Sequence, residues 1–150
     1  MKHVGALVLL CLILPALSCH AAGENSPADI MVNGDGTWYR VDRQLTEHHF
    51  GQTIKTPQGS LLDLALAENA STGYSWRCQW QPLSGVTLVR TMTVGPKRQI
   101  PGAGGTRHFL LLVSRAGECK VTLQYGRWWK GGDRQPVKTI TIDATPAAAR

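Results

Sequence analysis

The chain has 150 residues, 43% hydrophobic and 17% charged, and a net charge of +6 at pH 7. That length suits one domain around one hydrophobic core, and a modest, scattered charge does not by itself define a nucleic-acid binder. The longest apolar run, Val4 to Leu14, is shorter than the roughly 20 residues a membrane-spanning helix needs.

Lys2 and His3 precede that run, and Pro15, small residues, Ala21 and Ala22 follow it. Charge, length and exit composition are those of a secretory signal, expected to be cut after Ala21 or Ala22. The competing reading is a lipoprotein cut before Cys19, although "ALSC" places the leucine one position late for the usual lipobox. Membrane attachment is expected only in that second case. The layout expected is a signal over 1–22, an N-terminal arm of undefined structure over 23–49, a sandwich domain over 50–144 and a disordered tail over 145–150. The exported product, periplasmic or secreted, then has 128 residues and a net charge of +5.

Residues 23–35 are polar and rich in turn formers, and "GTWYRVD" reads as a short strand whose place in the fold is undefined. "QTIKT" and "SLLDLALAE" bracket the turn "PQG" as two strands would. The second run has helix-forming Leu and Ala, but its nine residues and its strand-like neighbours argue for a strand. "YSWRCQW" alternates, with Tyr74, Trp76, Cys78 and Trp80 on one face, the period of a half-buried strand. "VTLVRTMTV", "RHFLLLVSR", "CKVTLQY" and "VKTITID" complete about seven strands with no amphipathic segment of helical length. An all-β, immunoglobulin-like sandwich is the expected fold.

Cys11 and Cys19 lie in or beside the signal, so Cys78 and Cys119 are the pair left to the domain. In an exported chain that pair is expected to form a disulfide. Two cysteines without a CxxC cannot build a structural zinc site. The adjacent His48 and His49 would point to opposite faces of a strand and so do not make one ion site. His108 is expected at the surface or supporting a loop. Neither a GxSxG elbow, an HExxH helix nor a P-loop occurs. "GAGG" leads into a strand, whereas a phosphate cradle needs a helix N-terminus. No enzyme, cofactor or metal is expected.

Three connections are richer than folding requires: "NASTG", "GPKRQIPGAGG" and "GRWWKGG". Trp beside Arg at a loop is a composition enriched at interface hot spots, while the bland alternatives are a hairpin turn for "NASTG" and, for "GRWW", both tryptophans folding back as a lid on the sandwich end, where one of the two is expected. In a Greek-key sandwich all three loops can reach one end. In this order they resemble the chagasin family of inhibitors of papain-like cysteine peptidases, which carry an NPTTGY-type motif, a GxGG loop and an RPW motif. The counterparts are "NASTGYSW" at 69–76, "GAGGTRHF" at 102–109 and "YGRWWKG" at 125–131. Ala70 stands where the family has proline, Ser71 where it has the first threonine, and Trp128 where it has the proline of RPW.

The resemblance implies a monomeric, reversible, non-covalent and competitive inhibitor whose partner is a papain-like cysteine peptidase, not a nucleic acid. Asn69, Ala70, Ser71, Thr72, Gly73 and Tyr74 would enter the catalytic centre. Gly102, Ala103, Gly104 and Gly105 would line the nonprimed side, and Arg127, Trp128 and Trp129 would supply the third loop, with Arg127 and Trp129 packing on the primed side. The alternative is an exported glycan- or ligand-binding sandwich using Trp128 and Trp129 as a stacking platform. A single-stranded nucleic-acid binder using Arg127, Lys130 and Arg134 would show steep salt dependence. Neither alternative explains the other two loops.

Overall fold

The structure, a computed structural model, describes residues 28–31, 38–80, 85–96 and 102–147. The expected signal with Cys19 lies outside the described residues. In chain order the strands are β1 (Ala28–Met31), β2 (Trp38–Val41), β3 (Arg43–Leu45), β4 (Thr53–Pro57), β5 (Leu61–Glu68), β6 (Ser75–Trp80), β7 (Val86–Val94), β8 (Gly105–Val113), β9 (Gly117–Gly126) and β10 (Lys138–Thr145). One four-stranded sheet has the order β4-β10-β9-β6 and the other β3-β5-β8-β7. They stack as a sandwich, and β1 and β2 form a separate antiparallel ribbon. The all-β sandwich expected from the sequence is therefore the fold observed.

Alternation explains the sandwich. Leu62, Leu64 and Leu66 on β5 face Val121 and Leu123 on β9 and Ile140 and Ile142 on β10 across one core, each 1% exposed or less. Fully burying each such side chain contributes about 1.5–3 kcal/mol. β5 is a strand despite its helix-forming residues because it lies between β3 and β8, where even its outward Asp63 is fully buried. Tertiary burial outweighs the smaller intrinsic propensity.

Several sequence expectations change. First, "PQG" and "NASTG" are not hairpin turns, because β5 lies in a different sheet from β4 and β6. Each carries the chain from one sheet to the other. Second, the segment before residue 50 is not only an arm: β3 pairs in parallel with β5, and Val41 and Leu45 are buried. His48 and His49 sit on a 3-10 turn, not a strand, where His49 Nδ1 accepts from the Thr46 amide at 3.0 Å.

The third change concerns the cysteines, which are both free thiols instead of the expected disulfide. Cys78 stands opposite Leu123 on β9, four residues along the strand from Cys119. That offset is ~13 Å at about 3.3 Å per residue, whereas bridged Cα atoms lie roughly 4.4–6.8 Å apart. Sharing an apolar face is not enough; a bridge needs register. Burial, with the charge on Cys119 a smaller cause, pushes the Cys78 thiol up to about 12, so it is a weak nucleophile near neutrality.

Candidate functional site

Glu68 at the end of β5 pairs with Gly105 at the start of β8, and Ser75 at the start of β6 pairs with Gly126 at the end of β9. The chain therefore leaves β5, β7 and β9 at the same end of the sandwich. The connections that follow also touch. Asn69 Nδ2 donates to the Gly102 carbonyl at 3.1 Å, Arg127 Nε donates to the Thr72 carbonyl at 3.3 Å, and the Tyr74 hydroxyl donates to the Asp133 carboxylate. The first loop is the hub.

That loop is a 3-10 turn over Ala70–Thr72, capped by Asn69. Asn69 Oδ1 accepts from the Ser71 amide at 3.2 Å and from Ser71 Oγ at 2.6 Å, while Thr72 Oγ1 donates to the Asn69 carbonyl at 2.6 Å. Asn is among the preferred cap residues because its short side chain reaches the amide two positions on. Hydrogen bonds to one residue thus hold the turn where proline would have fixed a backbone angle. Beneath it, the Asn69 amide donates to the Tyr125 hydroxyl at 3.2 Å, and the Tyr125 ring stacks on Tyr74 at 5.3 Å and packs at a tilt against Trp76 at 4.9 Å. An aromatic column joins the loop to the core.

Gly73 closes the turn at φ +78°, a left-handed conformation natural to glycine. A Cβ there would lie 2.5 Å from the Trp129 ring. Trp129, 53% exposed, therefore lies directly on the first loop. Gly104 and Gly105 are just as confined: their missing side chains make room for the backbone carbonyls of Glu68 and Val94. Gly102 and Ala103 are exposed beside them.

Arg127 fills the space between the loops. Its guanidinium lies 4.6 Å from the Tyr74 ring centroid and 5.7 Å from that of Trp129, and its Nη1 is 3.5 Å from Asp133 Oδ1. The hydrogen bond from Tyr74 holds the Asp133 carboxyl below the usual carboxylate range, and the same bond is the largest cause raising the Tyr74 phenol. Arg127, Tyr74 and Asp133 form one charged tie between the first and third loops.

Trp128 is the member of the expected set that the structure separates from the rest. Its Nε1 donates to the Ser75 carbonyl at 2.9 Å, and its half-buried ring lines a cleft on the outer face of β6 and β9 with Arg77, Gln79 and Thr122. Trp128 and Trp129 thus point to different surfaces and do not make one stacking platform. Trp128 folds back onto the outer sheet face, not onto the end of the sandwich as the lid reading of "GRWW" has it.

Sequence reasoning missed Asp133, Tyr125 and Glu68. Glu68 is 4% exposed and accepts from the Trp76 amide at 2.8 Å and from Arg107 Nε at 3.2 Å. A charged residue closing an apolar run, followed by an aromatic pair, was the available signal for it; nothing in "GGDRQP" marks Asp133. His108 proves to be internal support, its Nδ1 3.0 Å from both oxygens of the buried Asp63, which Gln44 Nε2 also reaches at 2.8 Å. Among the described residues the Ser71 and Thr72 hydroxyls bond within their own turn, and neither pairs with an imidazole.

A sandwich that holds a braced three-loop edge at one end defines a protein-binding module. The profile of the chagasin family of peptidase inhibitors, I42, matches residues 55–143, and the chain belongs to that family. It is an inhibitor-family protein and not an enzyme. It is 32% identical over 95 residues to chagasin of Trypanosoma cruzi, spanning 61% of this chain and 86% of the relative. It is also 28% identical over 102 residues to amoebiasin-1 of Entamoeba histolytica, spanning 66% of this chain and 96% of the relative. Among solved structures it resembles the cysteine protease inhibitor EhICP2 from Entamoeba histolytica, with a TM-score of 0.61 and 24% identity over 68% of this chain and 94% of that one. Amebosin gives a TM-score of 0.55 and 27% identity over 68% of this chain and 96% of that one.

Proposed function

We propose that the chain inhibits papain-like cysteine peptidases by seating its three-loop end in the active-site cleft, reversibly and in competition with substrate. The observation that carries this reading is the bracing of the Asn69–Tyr74 turn by both other loops. Loops ordered before binding lose less conformational entropy on docking.

Asn69 to Gly73 form the central finger, which reaches the peptidase's catalytic centre. Gly102 to Gly105 flank it on one side, where the absence of bulky side chains lets a partner's backbone approach. Trp129 supplies the exposed aromatic surface on the other, and Arg127 keeps Trp129 and the finger together. Occupancy alone blocks the site, because no loop side chain is an electrophile and the turn offers no extended peptide bond to the nucleophile. The N-terminal stretch supports an exported inhibitor, periplasmic or secreted, which meets its target outside the cytoplasm.

Titration of the purified chain into papain or a cathepsin-like peptidase, with a serine peptidase as control, tests the reading. Inhibition confined to the cysteine peptidase and recovered on dilution is expected. Trp129→Ala and Thr72→Ala should each weaken it while leaving thermal stability nearly unchanged; a large drop in stability would make that residue structural.

A further inference from the structure

The outer face of β6 and β9 carries a feature that the wedge does not use. Two guanidinium groups lie over the ring of Trp128, Arg77 at 4.2 Å and Arg134 at 5.1 Å from its centroid. The indole is fixed by its bond to the Ser75 carbonyl. Both arginines are exposed, and among the described residues neither has a carboxylate within ion-pair reach. Gathering two like charges at one ring is unfavourable unless an anion offsets it. Arg127 nearby is already matched by Asp133.

Charge on the rest of this face is balanced. Lys55 stands opposite Asp143, and Glu118 lies on the same face two residues from Lys120. Excess positive charge is therefore confined to the loop end, which a long polyanion running down the sheet would quickly leave for carboxylates. Trp129, the residue next to Trp128, presses on the central finger at Gly73. Arg77 lies two residues from Ser75, where β6 reaches the three loops, so the arginine pair borders the loop end.

We propose that Arg77 and Arg134, held on Trp128, form a docking site for carboxylates on the cleft rim of the bound peptidase, so that the inhibitor selects targets with an acidic rim. This rests on the inhibitory function proposed above. Planar guanidiniums stacked on an indole keep their edges free for carboxylate oxygens. Partly exposed charges beside an interface act chiefly on the association rate, and salt screens them.

The test is the association rate constant against sodium chloride concentration for two papain-like peptidases, one with an acidic and one with a basic cleft rim. For the acidic target the wild-type rate should fall steeply with salt. The double variant Arg77→Gln/Arg134→Gln should associate roughly tenfold more slowly at low salt, with a flatter slope, and lose the preference between targets. Arg77→Lys/Arg134→Lys should restore most of the rate, which a purely structural role for the stack would not allow; melting curves of both variants check folding. Inhibition with an unchanged salt slope in the Gln variant overturns this assignment alone. An unchanged slope together with lost retention on heparin would assign the pair to a polyanion instead and likewise overturn it. Absence of inhibition by the wild type overturns the inhibitory reading and this inference with it.

Discussion

Asn69 is the residue on which the finger depends. It caps the turn, accepts from Ser71 twice and donates to the second loop. Asn69→Ala removes these bonds, each with a net value of about 0.5–1.5 kcal/mol, so the inhibition constant should rise roughly 10- to 50-fold with little change in melting temperature. Gly73 is coupled to Trp129: Gly73→Ala both strains the left-handed backbone and forces its methyl into the indole. In a Trp129→Ala background the same substitution should cost only the backbone penalty of about 1 kcal/mol, so the double-mutant cycle for inhibition should be clearly non-additive. Additive losses would place Trp129 away from the finger. The tie between Tyr74 and Asp133 sets a pH window. Asp133 has a lowered folded-state value, so its contribution holds above the ordinary carboxylate range and is lost as pH falls through that lowered value. Tyr74 has a raised value, so its contribution holds below the ordinary phenol range and is lost as pH rises through the raised one. Loop order, followed by tyrosine and tryptophan fluorescence, should stay flat between these limits, and Asp133→Asn should remove the acid-side transition.

At the scale of elements, strands were legible because period-two alternation survives in "YSWRCQW" and "CKVTLQY", where Trp76 and Cys78, and Cys119, Val121, Leu123 and Tyr125, enter the core or pack against it. Sheet membership was not. The turns at 58–60 and 69–74 look like hairpin connections in sequence, and only the sandwich decides that β5 pairs with β8 instead of its neighbours in the chain. The cysteines failed for the same reason: shared face is readable, but register between β6 and β9 is a long-range property. Both Cys78 and Cys119 should therefore take up iodoacetamide in denaturant without prior reduction; a mass showing neither modified would restore the disulfide. The β3-β5-β8 triplet also carries a buried charge that alternation does not announce. Among the described residues, His108→Ala leaves the buried Asp63 with Gln44 as its side-chain hydrogen-bond partner, at a cost of about 3 kcal/mol. The melting temperature should drop, and Asp63→Asn in the same background should recover part of the loss.

For the whole molecule, turn chemistry and Trp/Arg composition mark Asn69–Gly73, Gly102–Gly105 and Arg127–Trp129 as more than connections, and these three stretches do come together at one end of the sandwich. What joins them was not legible, since Asp133, Tyr125 and the turning away of Trp128 depend on contacts between segments up to 59 residues apart. The resulting picture is a close-packed sandwich whose three loops are tied to one another at one end, and the proposed inhibition rests on that order being present before binding. Steady-state kinetics of a papain-like peptidase at several concentrations of this chain test that picture most directly. The account predicts that KM rises with inhibitor while kcat stays constant, and that the inhibitor is recovered uncut after prolonged incubation. No inhibition at micromolar concentrations, or a fall in kcat at unchanged KM, would contradict it.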